Sequence, residues 1–466
     1  SSKIHDNMCK LALLESLINE SSNIEEILVD DDILKEIINQ LLSIHNIQIP
    51  VNYVNKQRNI FFNVLRNSVI SLYLGFSEYV SARLVRSQNI LTGDIIFLEN
   101  FIFEDSFDDE LNFSDRSYPG LIDYLSLNEA KKIWYLSSII GIKHLHERIR
   151  FLRKINLAKE KILIKEYYLG FSDYISAFFS SYFIPSKIKH IPKWRNIDIS
   201  KLILTEANNE MGSYSLISNI LYYKFFRRLK NHNIDVKLVI DWNENQVIDR
   251  ALNLGIRKYF PNTTIKGYQG SVVSDYYASL TPIQIEVENG LVPHETYVIS
   301  KYLVINRKKY CPDLNVMVAP AFRYVEAMKY QNQNLENKRY ILVGLPMLHE
   351  ESNQVLKMIL DAVKDKEIDI LVKRHPTILL KNLLSNVFYA NDPKLKFNEK
   401  KLTDLFSEAK LFVTMTSSAA IESVMCNTHV AIIANSSGPS TNPIEDIIDQ
   451  KYWQLCYTPN CINEAL

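Results

Sequence analysis

From about residue 200 onwards, short β-type runs alternate with helical stretches, and this alternation constrains the fold more than any other feature of the chain. Residues 202–205, 236–240, 264–267, 297–299 and 315–318 read as strands, separated by helical segments such as 217–230 and 246–254. A strand that returns through a helix pairs in parallel, so a doubly wound α/β layer is expected. The polar, turn-rich stretch 331–338 reads as a linker. Strand-like runs at 340–346, 368–373, 411–414 and 429–434 then begin a second α/β unit. The expected organisation is a Rossmann-like domain over 196–330 and another over 339–466, facing each other across a cleft.

Residues 1–195 read differently, as a largely helical region with Leu/Ile-rich periodic segments at 11–18 and 33–44. The region contains an echo. Tyr73-Leu74-Gly75-Phe76-Ser77-Glu78-Tyr79-Val80-Ser81-Ala82 returns as Tyr168-Leu169-Gly170-Phe171-Ser172-Asp173-Tyr174-Ile175-Ser176-Ala177, with two conservative changes. Ser77 and Ser172 suit helix N-caps, and the acid that follows each suits the helix dipole. Duplicated packing is favoured over a duplicated acceptor-binding element. The acidic stretch 104–110 is read as a solvated loop instead of a metal-binding cluster.

Composition removes some functional classes. The chain has 466 residues, 47% of them hydrophobic, and its 53 basic and 53 acidic side chains cancel. A nucleic-acid partner is not expected without a basic face. The five cysteines, Cys9, Cys311, Cys426, Cys456 and Cys461, show no C-x-x-C spacing, which suggests a reducing, cytoplasmic compartment. No unbroken apolar run reaches the ~18 residues expected of a membrane span.

Two motifs carry the candidate chemistry. Arg374-His375-Pro376 and Thr416-Ser417-Ser418-Ala419 each follow a strand-like run, and the second opens a helix-like stretch. Both therefore sit at the carboxyl edge of a parallel sheet, where open α/β sheets bind ligands. Two hydroxyls, free backbone N–H groups and about half a positive charge of helix dipole suit a phosphate, with simple capping as the competing reading. His375 precedes a proline and is biased towards an extended loop, from which it could donate a proton or a hydrogen bond to a leaving phosphate. Gly344 and Pro346 follow the first strand of the second domain, where a tight turn lets backbone approach a nucleotide. Arg323 and Arg374 are candidates for a sugar carboxylate.

The His-Pro motif followed by Ser-Ser, in the second half of a two-Rossmann chain, resembles the bacterial GT-B glycosyltransferases that use CMP-activated sugars. That group includes bacterial sialyltransferases and the Kdo transferases of capsule and lipopolysaccharide assembly. The stretches 241–246 and 267–270 (which includes Gln269), Pro293 and 319–324 are similar to the first Rossmann domain of surface-carbohydrate transferases, so the resemblance spans about residues 200–440. It implies the GT-B fold and a donor phosphate held by His375, Ser417 and Ser418. It also implies transfer of a sialic-, legionaminic- or Kdo-class nonulosonate from a CMP-sugar to a surface-glycan or glycolipid acceptor. Two departures stand out. The acidic-acidic-Gly motif that carries the catalytic carboxylate in several of these families is absent. Asn427-Thr428-His429-Val430 also replaces the expected Gly-x-Pro-Val, although Glu422 is kept.

A carboxylate is still required, as base or as nucleophile. Glu244 ranks first, then Asp241 and Glu206, each placed by its expected strand end. CMP leaves as a monophosphate, so no metal is expected. The aromatic-basic stretch 222–230 is a candidate for resting on an anionic membrane, with a core-packed helix as the preferred reading. Two alternatives stay open: a CDP-polyol phosphotransferase of the teichoic-acid type, and a non-catalytic scaffold of a polysaccharide-assembly complex.

Overall fold

The computed structural model describes residues 3–20, 24–29, 31–53, 60–86, 94–108, 110–191, 193–272, 280–330, 338–436, 440–445 and 447–466. The chain divides into two compact units. One comprises residues 1–86, 143–152 and 165–232, and the other 87–142, 153–164 and 233–466.

The first unit is helical, with a small parallel pair of strands, β1 (Ile27–Val29) and β2 (Val51–Tyr53). The helices Lys3–Asn19, Asp32–Ile44 and Ser200–Asn209 enclose a core that includes Leu11, Ile37, Leu41 and Leu202. Asp31 caps the second of these by accepting from the backbone of Ile33 and Leu34. Residues 202–205, expected as a strand, are one turn of Ser200–Asn209. A four-residue apolar run has no decisive period, and burial of Leu202 in this core settles it as helix.

The echoed segments are a packing device. Copy one lies inside the 26-residue helix Ile60–Val85, so Ser77 is a buried mid-helix residue and not a cap. Copy two runs into the helix Phe171–Phe183, whose N-cap is Gly170, with Asp173 accepting from the Gly170 N–H at 2.9 Å. Tyr79 and Tyr174, equivalent positions, pack ring against ring at 5.8 Å. Gly75 lies against the same tyrosine, where a Cβ would meet its ring at 3.3 Å. The equivalent acids both hold arginines: Glu78 pairs with Arg148 at 3.3 Å, and Asp173 with Arg227 at 2.8 Å and Arg228 at 2.6 Å.

The second unit contains two all-parallel sheets. The first is built from β3 (Asp94–Ile102), β4 (Ile133–Ile139), β5 (Ile162–Leu163), β6 (Asp235–Trp242), β7 (Thr264–Gln269), β8 (Glu295–Val298) and β9 (Val316–Val318), in the order 5-4-3-6-7-8-9. The second contains β10 (Tyr340–Gly344), β11 (Asp369–Lys373), β12 (Leu395–Phe397), β13 (Ala409–Thr414), β14 (His429–Ile433) and β15 (Trp453–Cys456), in the order 12-11-10-13-14-15. This is the GT-B architecture of two Rossmann-like sheets.

The expected domain boundary at 195 does not hold. β3 to β5 come from the stretch read as helical, and β3 pairs directly with β6, Leu98 opposite Ile240. These strands lack polar alternation because sheet strands buried on both faces read as continuous apolar runs. β4 is buried at six of its seven positions. The second sheet shows the same two-sided burial, with Ile341 and Val343 entering one core and Tyr340 and Leu342 the other. The expected linker falls almost wholly on 331–337, outside the described residues.

Candidate active site

A cavity of about 250 Å³ opens where the carboxyl ends of the two sheets meet. Trp242 ends β6 and Gln269 ends β7, while Thr416 and Ser418 follow β13. These residues line the cavity together with Asn243, Glu244, Gly270, Ser271, Leu280 and Thr441. Parallel strands force this convergence, because every carboxyl end lies on the same edge. Gly270 has a steric reason to be glycine: a Cβ there would stand 2.6 Å from the rings of Trp242 and Tyr268.

On the first sheet, Glu244 is the half-buried carboxylate that lines the cavity. Its Oε1 accepts from the Trp242 indole at 3.0 Å and its Oε2 from the Gln246 amide at 2.7 Å, while its N–H donates to Asp249 at 3.0 Å. Each oxygen retains a lone pair for a substrate hydroxyl. Gln269 is buried beneath, donating to Asn243 at 3.3 Å and to the Leu280 carbonyl at 2.9 Å, and accepting from Arg307 at 2.9 Å.

Asp241 sits one layer deeper than expected. It is within β6, fully buried, and touches the cavity only through Asn243, whose amide donates to its carboxylate at 3.0 Å. Burial pushes its pKa up to about 7. Glu99 on β3 and Asp249 are also buried and raised well above the usual carboxylate range, first by desolvation and then by the charge of Asp241. Carboxylates that desolvate and repel one another in this way retain protons near neutrality.

On the second sheet, Ser417 and Ser418 stand half-exposed at the start of the helix Ala419–Met425. The Ser417 hydroxyl accepts from the Ala419 N–H at 3.3 Å, and Ser418 makes no cap bond. This helix is seven residues long, so its dipole supplies only part of the positive charge a phosphate needs. The remaining positive charge comes from arginine. Arg323 donates to Ser271 at 3.1 Å and to Glu422 at 3.3 Å, joining the rim of the cavity to the helix behind the serines.

His375 follows β11, with Pro376 exposed at the second position of a turn closed by the Ile378 N–H on the His375 carbonyl at 3.0 Å. Its Nδ1 accepts from the Thr377 N–H at 3.3 Å and lies 2.7 Å from the Thr377 hydroxyl. With Nδ1 an acceptor, the neutral ring carries its proton on Nε2. Burial, then the charges of Arg116 and Arg323, hold its pKa below the ordinary histidine value.

Several expected site residues have other work. Glu206 lies in the helix Ser200–Asn209 of the helical unit, so its supposed strand end does not exist. Gly344 is the last residue of β10, and a Cβ there would fall 2.7 Å from the Phe412 ring, so it serves strand packing. Pro346 is buried, and its carbonyl accepts from Ser352 at 3.1 Å. Arg374 grips Glu399 with two nitrogens at 2.9 and 3.2 Å and the Ile378 carbonyl at 2.8 Å, which commits it to structure. In the stretch 222–230, Tyr222, Phe225 and Phe226 are core residues of the helix Tyr214–Asn231. In the acidic stretch, Asp108 closes a loop on Asn112 and Asp105 pairs with Arg116 at 2.8 Å, while Asp109 lies outside the described residues.

Sequence reading missed Glu99, Asp249, Ser271, Thr441 and Arg116 as neighbours of the site. Glu99 carried a usable signal: an isolated acid within the apolar run 95–102 has to be buried or functional.

No protein-family model matches the chain, and no curated protein does. Among solved structures, a putative UDP-N-acetylglucosamine 2-epimerase from Listeria monocytogenes is similar at 11% identity and a TM-score of 0.45, over 80% of this chain and 88% of that one. The UDP-GlcNAc 2-epimerase from Neisseria meningitidis bound to UDP-GlcNAc is similar at 10% identity and 0.41, over 80% and 89%. A glycosyltransferase from Rickettsia africae is similar at 13% identity and 0.37, over 80% and 87%.

Proposed function

We propose that the cleft binds a nucleotide-activated sugar and transfers the sugar to a hydroxyl acceptor. The observation that carries this reading is the meeting, in one cavity, of a half-buried carboxylate beside the first sheet, Glu244, with the hydroxyls of Thr416 and Ser418 from the second. The donor phosphate lies against the serines and the Arg323 guanidinium, and Glu244 takes the proton of the acceptor hydroxyl as that oxygen attacks the anomeric carbon. As the bond to the leaving phosphate breaks, negative charge grows beside His375. Burial and the charges of Arg116 and Arg323 favour the neutral imidazole, so it first donates a hydrogen bond from Nε2. Added negative charge then raises its pKa, so the ring takes up a second proton from solvent on Nδ1 and can hand the Nε2 proton to the departing phosphate oxygen.

The finer reading is that the donor is a CMP-activated nonulosonate or Kdo-type sugar, supported by the spacing of His375-Pro376 and Ser417-Ser418. The cations around the phosphate are protein side chains, and we propose that turnover needs no divalent metal. The test is incubation with CMP-activated sialic, legionaminic and Kdo sugars and glycan acceptors, with products resolved by phosphorus NMR and mass spectrometry. CMP release with a phosphate-free glycoside supports the proposal. A product that keeps the phosphate means phosphoryl transfer and overturns it.

A further inference from the structure

The helix Ile60–Val85 is packed inside out. Its buried positions are Ser68, Ser71, Ser77, Glu78, Ser81 and Ala82, while Phe61, Phe62, Leu65, Val69, Leu72 and Phe76 are exposed, Phe61 at 76%. Polar partners fix this orientation. Ser68 bonds the Tyr182 hydroxyl, Ser71 donates to the Gly212 carbonyl at 2.6 Å, and Glu78 pairs with Arg148 and accepts from Tyr214. Rolling the apolar face inward would break all of these bonds. Although the sequence has no unbroken apolar run of that length, this helix is long and apolar enough to cross a membrane.

The helix Phe171–Phe183 repeats the arrangement. Phe171, Ile175, Phe179 and Phe183 recur every fourth residue along one exposed stripe, opposite the buried Asp173, Tyr174, Ala177 and Ser181. The stripes meet where the rings of Tyr79 and Phe171 pack at 5.7 Å. Beyond Phe183 the chain runs into exposed Lys187, Lys189 and Lys193, then Trp194, and no acidic residue occurs between Tyr174 and Ile197.

We infer that this face of the helical unit docks on an anionic lipid surface. The phenylalanines enter the acyl boundary, and the lysines meet phosphate headgroups. Exposed apolar area on this scale marks an interaction site. The adjoining row of cations selects a negatively charged interface over a protein partner. The helix Ile60–Val85 lies in the plane of the membrane, because its other face is committed to the helices Ser200–Asn209 and Tyr214–Asn231. The inference is independent of the reading of the cleft.

The test is co-sedimentation of the full chain with vesicles of phosphatidylcholine alone or mixed with phosphatidylglycerol. Two variants are compared with the unaltered protein: Phe61→Ser/Phe179→Ser, and Lys187→Gln/Lys189→Gln/Lys193→Gln. The unaltered chain pellets with the anionic vesicles. Each phenylalanine lost weakens partition by about tenfold, and the triple lysine change weakens it by about a hundredfold. Failure of the unaltered chain to pellet overturns the inference, as does binding by both variants that matches the unaltered chain. A dimer in sedimentation velocity that Phe61→Ser/Phe179→Ser converts to monomer also overturns it, in favour of a second copy on this face.

Discussion

Asn243 bridges Asp241 and Gln269: its amide donates to the buried carboxylate at 3.0 Å, and its carbonyl accepts from Gln269 at 3.3 Å. Asp241 therefore acts on the cavity only through this side chain, as a positioning residue, while Glu244 alone of the two presents oxygens to a substrate.

Glu244→Gln keeps the shape and removes the base. It should lower kcat by about 10²–10⁴ and leave donor affinity within about twofold, since Glu244 holds the acceptor side. Comparable losses in kcat and donor Kd would place it on the phosphate instead.

The raised pKa of Asp241 has a pH signature in stability. A folded-state pKa of about 7 against an ordinary carboxylate value means the folded chain binds this proton more tightly than the unfolded chain. Stability from that proton is complete below the ordinary carboxylate range and is lost as pH rises through about 7. Thermal denaturation of the Asp241→Asn variant, followed across that window, should show a shallower decline than the unaltered protein.

His375 gives the opposite sign in binding. Its pKa is depressed by burial and by the charges of Arg116 and Arg323, and a bound phosphate raises it, so binding takes up a proton. Affinity for CMP should strengthen as pH falls through the ordinary histidine range. Titration of His375→Ala should lose that extra slope, leaving only the ligand's own ionisation.

Gly344→Ala separates packing from nucleotide contact. The added Cβ crowds the Phe412 ring and should cost about 1–3 kcal/mol of stability, read from denaturant unfolding, with nucleotide affinity unchanged.

Four strands of the second sheet were legible in the sequence, because they are bounded by turns and alternate with periodic helices: β10, β11, β13 and β14 fall where expected, while the edge strands β12 and β15 were not read. The first sheet was half legible. β3 and β4 are two-sided buried strands whose apolar runs carry no period, and they are separated from β6 by segments of the helical unit. Leu202 and Thr205 misled in the other direction, since a short Leu/Ile/Thr run fits strand or helix until its packing is known. Among the residues that line the cavity, those at or just beyond strand ends were readable from position: Glu244, Gln269 and Ser418. Those defined by long-range contact were not. Arg374 and Arg323 look equivalent in sequence, yet Glu399 occupies the first, while the second links Ser271 to Glu422.

The claim that the Ser417–Ser418 turn and His375 hold the phosphate of a nucleotide donor is tested most directly by calorimetric titration of CMP, CDP and UDP into the unaltered chain, His375→Ala and Ser417→Ala/Ser418→Ala. The account predicts CMP binding by the unaltered chain, weakened by about 10- to 100-fold in each variant, as expected for lost hydrogen bonds to a charged group. Unchanged CMP affinity in both variants would contradict it.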